Sequence, residues 1–175
     1  MFEMKGSEIR TGLEVAVIGI SGGFPGAEDI QEFWNNLKNG VESISFFSTT
    51  ELEETGNDHE LVKNPNYVTA KGILADIDNF DASFFGYTPN EAKIMDPQMR
   101  LFHECVWQAL EDAGCDLESD NGRIGLYAGA SSSFHWEALT RLTGENDRMV
   151  DPFTASSLNN KDLLCMQISY KFNLK

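Results

Sequence analysis

Three short stretches of this sequence carry residue types that could do chemistry. Gly19-Ile20-Ser21-Gly22-Gly23 fits the Gly-x-Ser-x-Gly pattern of a hydrolase elbow, where a serine nucleophile is held on a strained strand-to-helix turn. That geometry needs a helix to begin at once, whereas Phe24-Pro25-Gly26 continues the loop, so a strand-ending turn is the better reading. A dinucleotide-binding Gly-x-Gly-x-x-Gly fails because Ser21 occupies the second glycine position. Ser131-Ser132-Ser133 closes a second apolar run and could supply a nucleophile or an oxyanion site, but the sequence identifies no base for it. His103-Glu104-Cys105-Val106-Trp107 begins like a zinc-protease helix, yet Trp107 stands where the second histidine must be, so one helix turn cannot present the ligand pair.

The remaining nucleophile candidates are Cys105, Cys115 and Cys165, odd in number and without a Cys-x-x-Cys spacing, which reads as reduced thiols. Cys165 is expected inside the last helix, Cys105 on a buried helix stripe and Cys115 just past a helix stop, none of them a helix N-terminus that would favour thiolate. His59 falls in an acidic surface stretch and His135 in a loop or short helix. The expected inventory is therefore no catalytic, no cofactor-binding and no metal-ligating set. A serine hydrolase using Ser21 or Ser131 stands as an alternative from another class.

These residues are arranged around the strongest helix signal in the chain, residues 96–114. Asp96 is a natural N-cap, Pro97 suits the first helical position, and Gly114 can take the left-handed conformation past the end. Leu101/Phe102, Cys105/Val106, Ala109/Leu110 and Ala113 predict one broad buried face. Two near-continuous apolar runs, residues 14–20 and 123–130, predict strands covered on both faces. Residues 29–39 predict an amphipathic helix with Ile30, Phe33, Trp34 and Leu37 on one side and Gly40 as its stop, Trp34 being expected in the core. Glu51-Leu52-Glu53-Glu54, with Asp58 and Glu60, reads as a solvated surface or short helix. Residues 66–74 predict a short strand and turn, Phe80, Phe84 and Phe85 packing residues, and residues 134–142 a short helix. Asp151-Pro152-Phe153 marks a turn, and residues 158–174 should be helical at their start.

A 175-residue chain with 41% hydrophobic and 11% aromatic residues can build a real core, and residues 1–12 read as a leader or linker ahead of a domain at 13–175. The formal charge of −15 argues against nucleic acid as a partner, since that needs clustered Lys and Arg. No apolar run reaches membrane-spanning length and the first residues lack a secretory pattern, so no membrane partner and a cytoplasmic location are expected.

Phe84-Phe85-Gly86-Tyr87-Thr88-Pro89-Asn90-Glu91-Ala92, Met95-Asp96-Pro97-Gln98-Met99-Arg100-Leu101 and Trp107-Gln108-Ala109-Leu110-Glu111-Asp112-Ala113-Gly114 together resemble the N-terminal part of β-ketoacyl synthase domains of modular polyketide synthases. Residues 17–26 resemble that family's opening strand and turn, and residues 160–174 the helix before its catalytic strand. The resemblance implies an α/β chain, an incomplete thiolase-like fold forming the N-terminal portion of the layered αβαβα architecture. It implies that the complete domain joins an acyl thioester to a malonyl-carrier-protein unit by decarboxylative Claisen condensation. It implies no directly bound cofactor, with the complete domain's substrates carried on the phosphopantetheine of an acyl carrier protein. The implied partners are that carrier and the remaining ketosynthase domain, with a homodimer expected for the complete domain.

In the family a cysteine takes the acyl chain and two histidines drive decarboxylation and stabilise the enolate. That cysteine follows the point matched by Asn173-Leu174-Lys175, so the chain is expected to be inert alone and to expose apolar surface. Two departures are Met99, where relatives often carry glutamine, and Gln167, where arginine is common. Lys161-Asp162 resembles synthases whose acyltransferase acts in trans, or hybrid peptide and polyketide lines. A non-catalytic docking or dimerisation module derived from a ketosynthase is the other alternative.

Overall fold

The computed structural model describes residues 11–117, 122–142 and 150–175, apart from the side chain of Arg141. Residues 1–10 of the expected leader lie outside them. The elements are α1 (Ile30–Asn39), β1 (Ser45–Phe46), α2 (Thr49–Glu54), α3 (His59–Val62), β2 (Ala70–Lys71), α4 (Pro89–Ile94), α5 (Pro97–Asp112), α6 (Phe134–Leu142), α7 (Pro152–Asn159), a 3-10 turn at Lys161–Leu163 and α8 (Leu164–Lys171).

Helix ends follow the local chemistry of the sequence. Asp96 caps α5 by accepting from the Gln98 N–H at 2.8 Å, Pro97 opens the helix, and Gly114 takes φ +67° beyond its end. Thr88 and Glu91 form a reciprocal capping box on α4, and Ser48 and Glu51 another on α2, where the acidic stretch is helical from Thr49. Asp151-Pro152 repeats the Asp-Pro signature of α5. It opens α7, with the Asp151 carboxylate accepting from Thr154, rather than marking a turn alone. The last segment is not one helix: α7 ends at Asn159, and Asn160 caps the 3-10 turn that leads into α8.

The core sits where α4, α5, α7 and α8 meet. Ile94, Met95, Met99 and Ile168 are fully buried there, with Phe85, Tyr87, Leu158, Leu164 and Phe172 around them. Each such side chain contributes about 1.5–3 kcal/mol of burial. The face that α5 buries most deeply runs along Met99, His103 and Val106, with Arg100 beside it. The expected stripe through Leu101, Cys105, Ala109 and Ala113 is only partly buried, covered on that flank by the chain around Gly19. A Cβ at Gly19 would lie 2.3 Å from the Ala109 carbonyl oxygen and 2.8 Å from the Ala113 Cβ. Only a glycine lets the two backbones approach this closely.

The two predicted strands carry no sheet ladder. Among the described residues the strands are β1 and β2, an antiparallel pair with Ser45 opposite Lys71 and Phe46 opposite Ala70. Residues 13–20 leave Val15 91% and Val17 84% exposed. Along 123–130, Ile124, Leu126 and Ala130 turn partly inward while Tyr127 is 93% exposed. A central strand needs a partner on each edge and a layer on each face, and the described residues supply neither in full.

Trp34 is likewise 54% exposed, and α1 has no buried residue, since no described element covers its apolar side; Phe33 instead stacks on Phe24 at 3.9 Å. Phe85 is core and Phe80 packs against it, but Phe84 is half exposed and meets Trp107 edge to face at 4.8 Å.

Candidate functional site

Both serine candidates are engaged by glutamines. The Ser21 hydroxyl donates to Gln108 Oε1 at 2.7 Å, and the Ser131 hydroxyl to Gln98 Oε1 at 3.2 Å. An amide oxygen is too weakly basic to take the proton that a serine nucleophile must lose. The turn after Ser21 closes through a Phe24–Ala27 bridge, and the next helix begins only at Ile30. His59 pairs with Glu53 on the surface, and His135 is exposed on α6.

Cys105 is half-buried on α5, where burial pushes its thiol up despite contacts with Gly23 and Ser21 that favour thiolate. Cys165 falls in the first turn of α8 rather than inside the helix. The 3-10 turn feeds directly into that turn, so it is not a free helix N-terminus of the kind that activates a thiol. Cys115 lies beyond Gly114, its N–H bonded to the Leu110 carbonyl. Among the described residues no three His, Cys, Asp or Glu side chains are grouped as a metal would need, and no helix is long and apolar enough to cross a membrane.

What the fold does assemble is two buried polar nodes that sequence reasoning does not find. The first is His103, fully buried among the rings of Phe80, Phe85, Tyr87 and Phe172, at centroid distances of 5.4 to 6.3 Å. Its Nδ1 donates to the Met99 carbonyl at 2.7 Å, which leaves Nε2 to accept from the Tyr87 hydroxyl at 3.1 Å. Burial holds the imidazole below its ordinary pKa, outweighing the Met99 contact, and the Lys171 charge acts in the same direction as burial. Tyr87 is pushed up to about 12 by burial and by Glu91. Lys171 lies 3.8 Å from the Tyr87 ring centroid and donates to the Gly86 carbonyl. His103 is thus a neutral packing group. Its alignment with Met99 and Val106 at helical spacing is the signal the sequence offers.

A pH dependence follows. In the unfolded chain the imidazole protonates near its ordinary value of about 6.5. The folded protein resists that proton, so the contribution of His103 is fully present above that pH and drains away as pH falls below it. Thermal midpoints of the protein carrying this chain should drop between about pH 7 and pH 5.5. The drop should shrink in His103→Gln; equal slopes for parent and variant would overturn this.

The second node surrounds the α4–α5 corner. Asp96, almost fully buried, receives the Lys161 ammonium at 2.5 Å on Oδ2. Burial alone would raise its carboxyl, but Lys161, Ser133 and the Gln98 amide together hold it below the usual carboxylate range. Gln98 Nε2 donates to the Ser133 hydroxyl at 2.7 Å and to the Ser131 carbonyl at 3.0 Å. The Ile94 carbonyl accepts from both Trp136 and Asn159 at 3.1 Å. Arg100 stacks over Trp136, its charge faced by Asp78, Asp96 and Glu104. Gln167 donates to the Ser157 carbonyl at 2.6 Å and ties α7 to α8. Met99 serves as a fully buried apolar filler.

Residues 13–175 match the family described as Beta-ketoacyl synthase, N-terminal domain. The chain belongs to the β-ketoacyl synthase family. It is 41% identical over 169 residues to a phenolphthiocerol/phthiocerol polyketide synthase of Mycobacterium tuberculosis, covering 92% of this chain and 11% of that protein. Polyketide synthase PksN of Bacillus subtilis is 38% identical over 161 residues, with 92% and 3% covered. Among solved structures, ketosynthase twelve of the bacillaene polyketide synthase from Bacillus amyloliquefaciens superimposes with a TM-score of 0.73 at 33% identity, over 91% of this chain and 28% of that one. The fold is therefore the N-terminal portion of a ketosynthase of thiolase-like architecture, and the chain spans a small part of each relative's length. The docked Gly19 turn, the capped α5 and the α7–α8 pair are elements of that portion of a polyketide synthase ketosynthase.

Proposed function

We propose that this chain forms the front of a ketosynthase domain whose complete form carries out decarboxylative condensation between an acyl thioester and a malonyl unit. Both substrates would be held on carrier-protein phosphopantetheine, and the domain would act as a homodimer. In this reading residues 13–175 contain no catalytic, cofactor-binding or metal-ligating residue. The nucleophilic cysteine and the two histidines come from sequence that in the family follows the position of Lys175. The thiolate attacks the acyl carbonyl and expels the first carrier's thiolate, which takes up the proton the cysteine gave up. The malonyl unit loses CO2 to give an enolate, whose carbon attacks the enzyme thioester and expels the cysteine thiolate, leaving the 3-oxoacyl chain on the second carrier.

The observation that carries the reading is at the last residue. The Ile124 N–H donates to the Lys175 carbonyl at 2.8 Å, so the chain leaving α8 reaches residues 123–130 at Ile124. A strand continuing from there would run beside that segment, where the family's cysteine strand belongs. Likeness to polyketide synthases over 92% of the chain supports the same assignment. The wording Lys161-Asp162 supports a line whose acyltransferase acts in trans, or a hybrid peptide and polyketide line.

Incubation with acyl- and malonyl-loaded carrier proteins tests this. The isolated chain should yield no 3-oxoacyl product by mass spectrometry, and the full domain should yield it. Carbon–carbon bond formation by the isolated chain, or none by the full domain, would overturn the proposal.

A further inference from the structure

The way α8 is held separates two kinds of constraint. Leu164, Ile168 and Phe172 bury its inner face in the core. Apolar burial is non-directional, so these contacts fix how deep the helix lies far better than where it stops along its own axis. Register along the axis needs polar ties: Gln167 already holds α8 to α7 through the Ser157 carbonyl and Lys171 reaches the Gly86 carbonyl, so what remains is how the α7–α8 unit is fixed to α5. At the entrance to α8, Leu163 makes no side-chain cap. The 3-10 turn before it is tied to the rest of the fold by the Lys161 ammonium on Asp96 Oδ2, at 2.5 Å. Asn159 Nδ2, donating to the Ile94 carbonyl, anchors the end of α7 to the same corner.

Asp96 is a firm anchor. Its other oxygen is committed to the first turn of α5, and the residue is 1% exposed. An ion pair this far removed from water is little screened, so separating the two charges is costly. At the opposite end of the helix, the Lys175 carbonyl meets Ile124. A slip at Lys161 therefore reappears where the chain leaves Lys175.

We propose that Lys161, through its ion pair with Asp96, is a positioning residue that sets the register of α8 and so places the nucleophile following Lys175 against the acyl thioester. This rests on the function proposed above. Lys161 touches no reacting atom; it acts through the helix. A displacement of about 1 Å at a reacting centre costs up to about a hundredfold in rate, which sets the scale of the effect.

The test uses the full ketosynthase domain and an acyl-loaded carrier protein. It reads the single-turnover acylation rate constant per titrated active-site thiol, which does not depend on the fraction of protein folded. Lys161→Met should lower that constant about tenfold to a hundredfold, with KM for the carrier within about twofold of the parent. Val62→Ala, a buried truncation in α3 away from the node, serves as a destabilised control and should leave the constant unchanged. If Lys161→Met does not give folded protein, Lys161→Gln, which keeps N–H donors without the charge, should lower the constant in the same direction. A constant within twofold of the parent for the Lys161 variant, or an equal fall for Val62→Ala, would overturn the inference while leaving the proposed function intact. A parent domain that is never acylated would overturn both.

Discussion

Replacing Gly19 with alanine should pull the segment around it away from α5. The backbone at Gly19 does not require a left-handed conformation, so the obstacle is space alone. The new methyl would sit 2.3 Å from the Ala109 carbonyl oxygen and 2.8 Å from the Ala113 nitrogen, and both atoms belong to a helix backbone that cannot yield locally. Relief requires the segment to lift. That breaks the Ile20 N–H bond to the Asp112 carboxylate at 2.8 Å and the Ser21 bond to Gln108. Overpacking together with a lost charge-assisted hydrogen bond costs about 3 kcal/mol or more. Limited proteolysis of the protein carrying this chain should show cleavage among residues 11–20 at least tenfold faster than in the parent, with a lower urea midpoint. An unchanged cleavage rate and a midpoint shift of less than about 0.5 kcal/mol would contradict the close packing.

His103→Ala carries the other large effect, about 3–5 kcal/mol of lost stability. It removes a ring from among four aromatic neighbours and strips the Tyr87 hydroxyl of its acceptor. Tyr87→Phe separates the two contributions. It keeps the packing and loses only the hydrogen bond, so it should cost about 1–2 kcal/mol. Urea unfolding of the two variants beside the parent measures both differences. Equal costs would mean that the hydrogen bond, not the ring packing, dominates. A cost below about 1 kcal/mol for His103→Ala would show that the cluster is not the centre of the core.

The parts of the fold legible in the sequence are those governed by neighbours in the chain. Asp96-Pro97 and Asp29 set helix starts because a cap is satisfied by an N–H two or three residues on. Asp151-Pro152 carries the same information, although the polar run after it suggests a turn and hides the helix. The apolar runs at 14–20 and 123–130 read as strands covered on both faces, yet in the structure neither forms a ladder. A ladder is a property of two segments, and composition cannot say whether the partner is present.

The candidate nodes are opaque for a related reason. Asp96 reads as a helix cap, but its second partner, Lys161, lies 65 positions away, as does the Asn159 amide from the Ile94 carbonyl. His103 reads as a polar residue on a helix, and nothing local says that four rings close over it. By contrast, the absence of a base for Ser21 or Ser131 is visible at once. The glutamines that hold both hydroxyls, Gln108 and Gln98, lie 87 and 33 residues away.

The exposed apolar runs also bear on synthesis. Helical contacts around Ile94, Met99 and Ile168 can close as soon as residue 172 has left the ribosome, because every partner has already emerged. Val15, Val17 and Tyr127 still face water beside that closed helical layer, and synthesis adds only about 5–20 residues per second. Under the function proposed above, a nascent chain would pass through a stage with a closed helical layer and a bare apolar flank. That stage is when ribosome-associated chaperones have a surface to hold and when neighbouring nascent chains on a polysome have one to stick to.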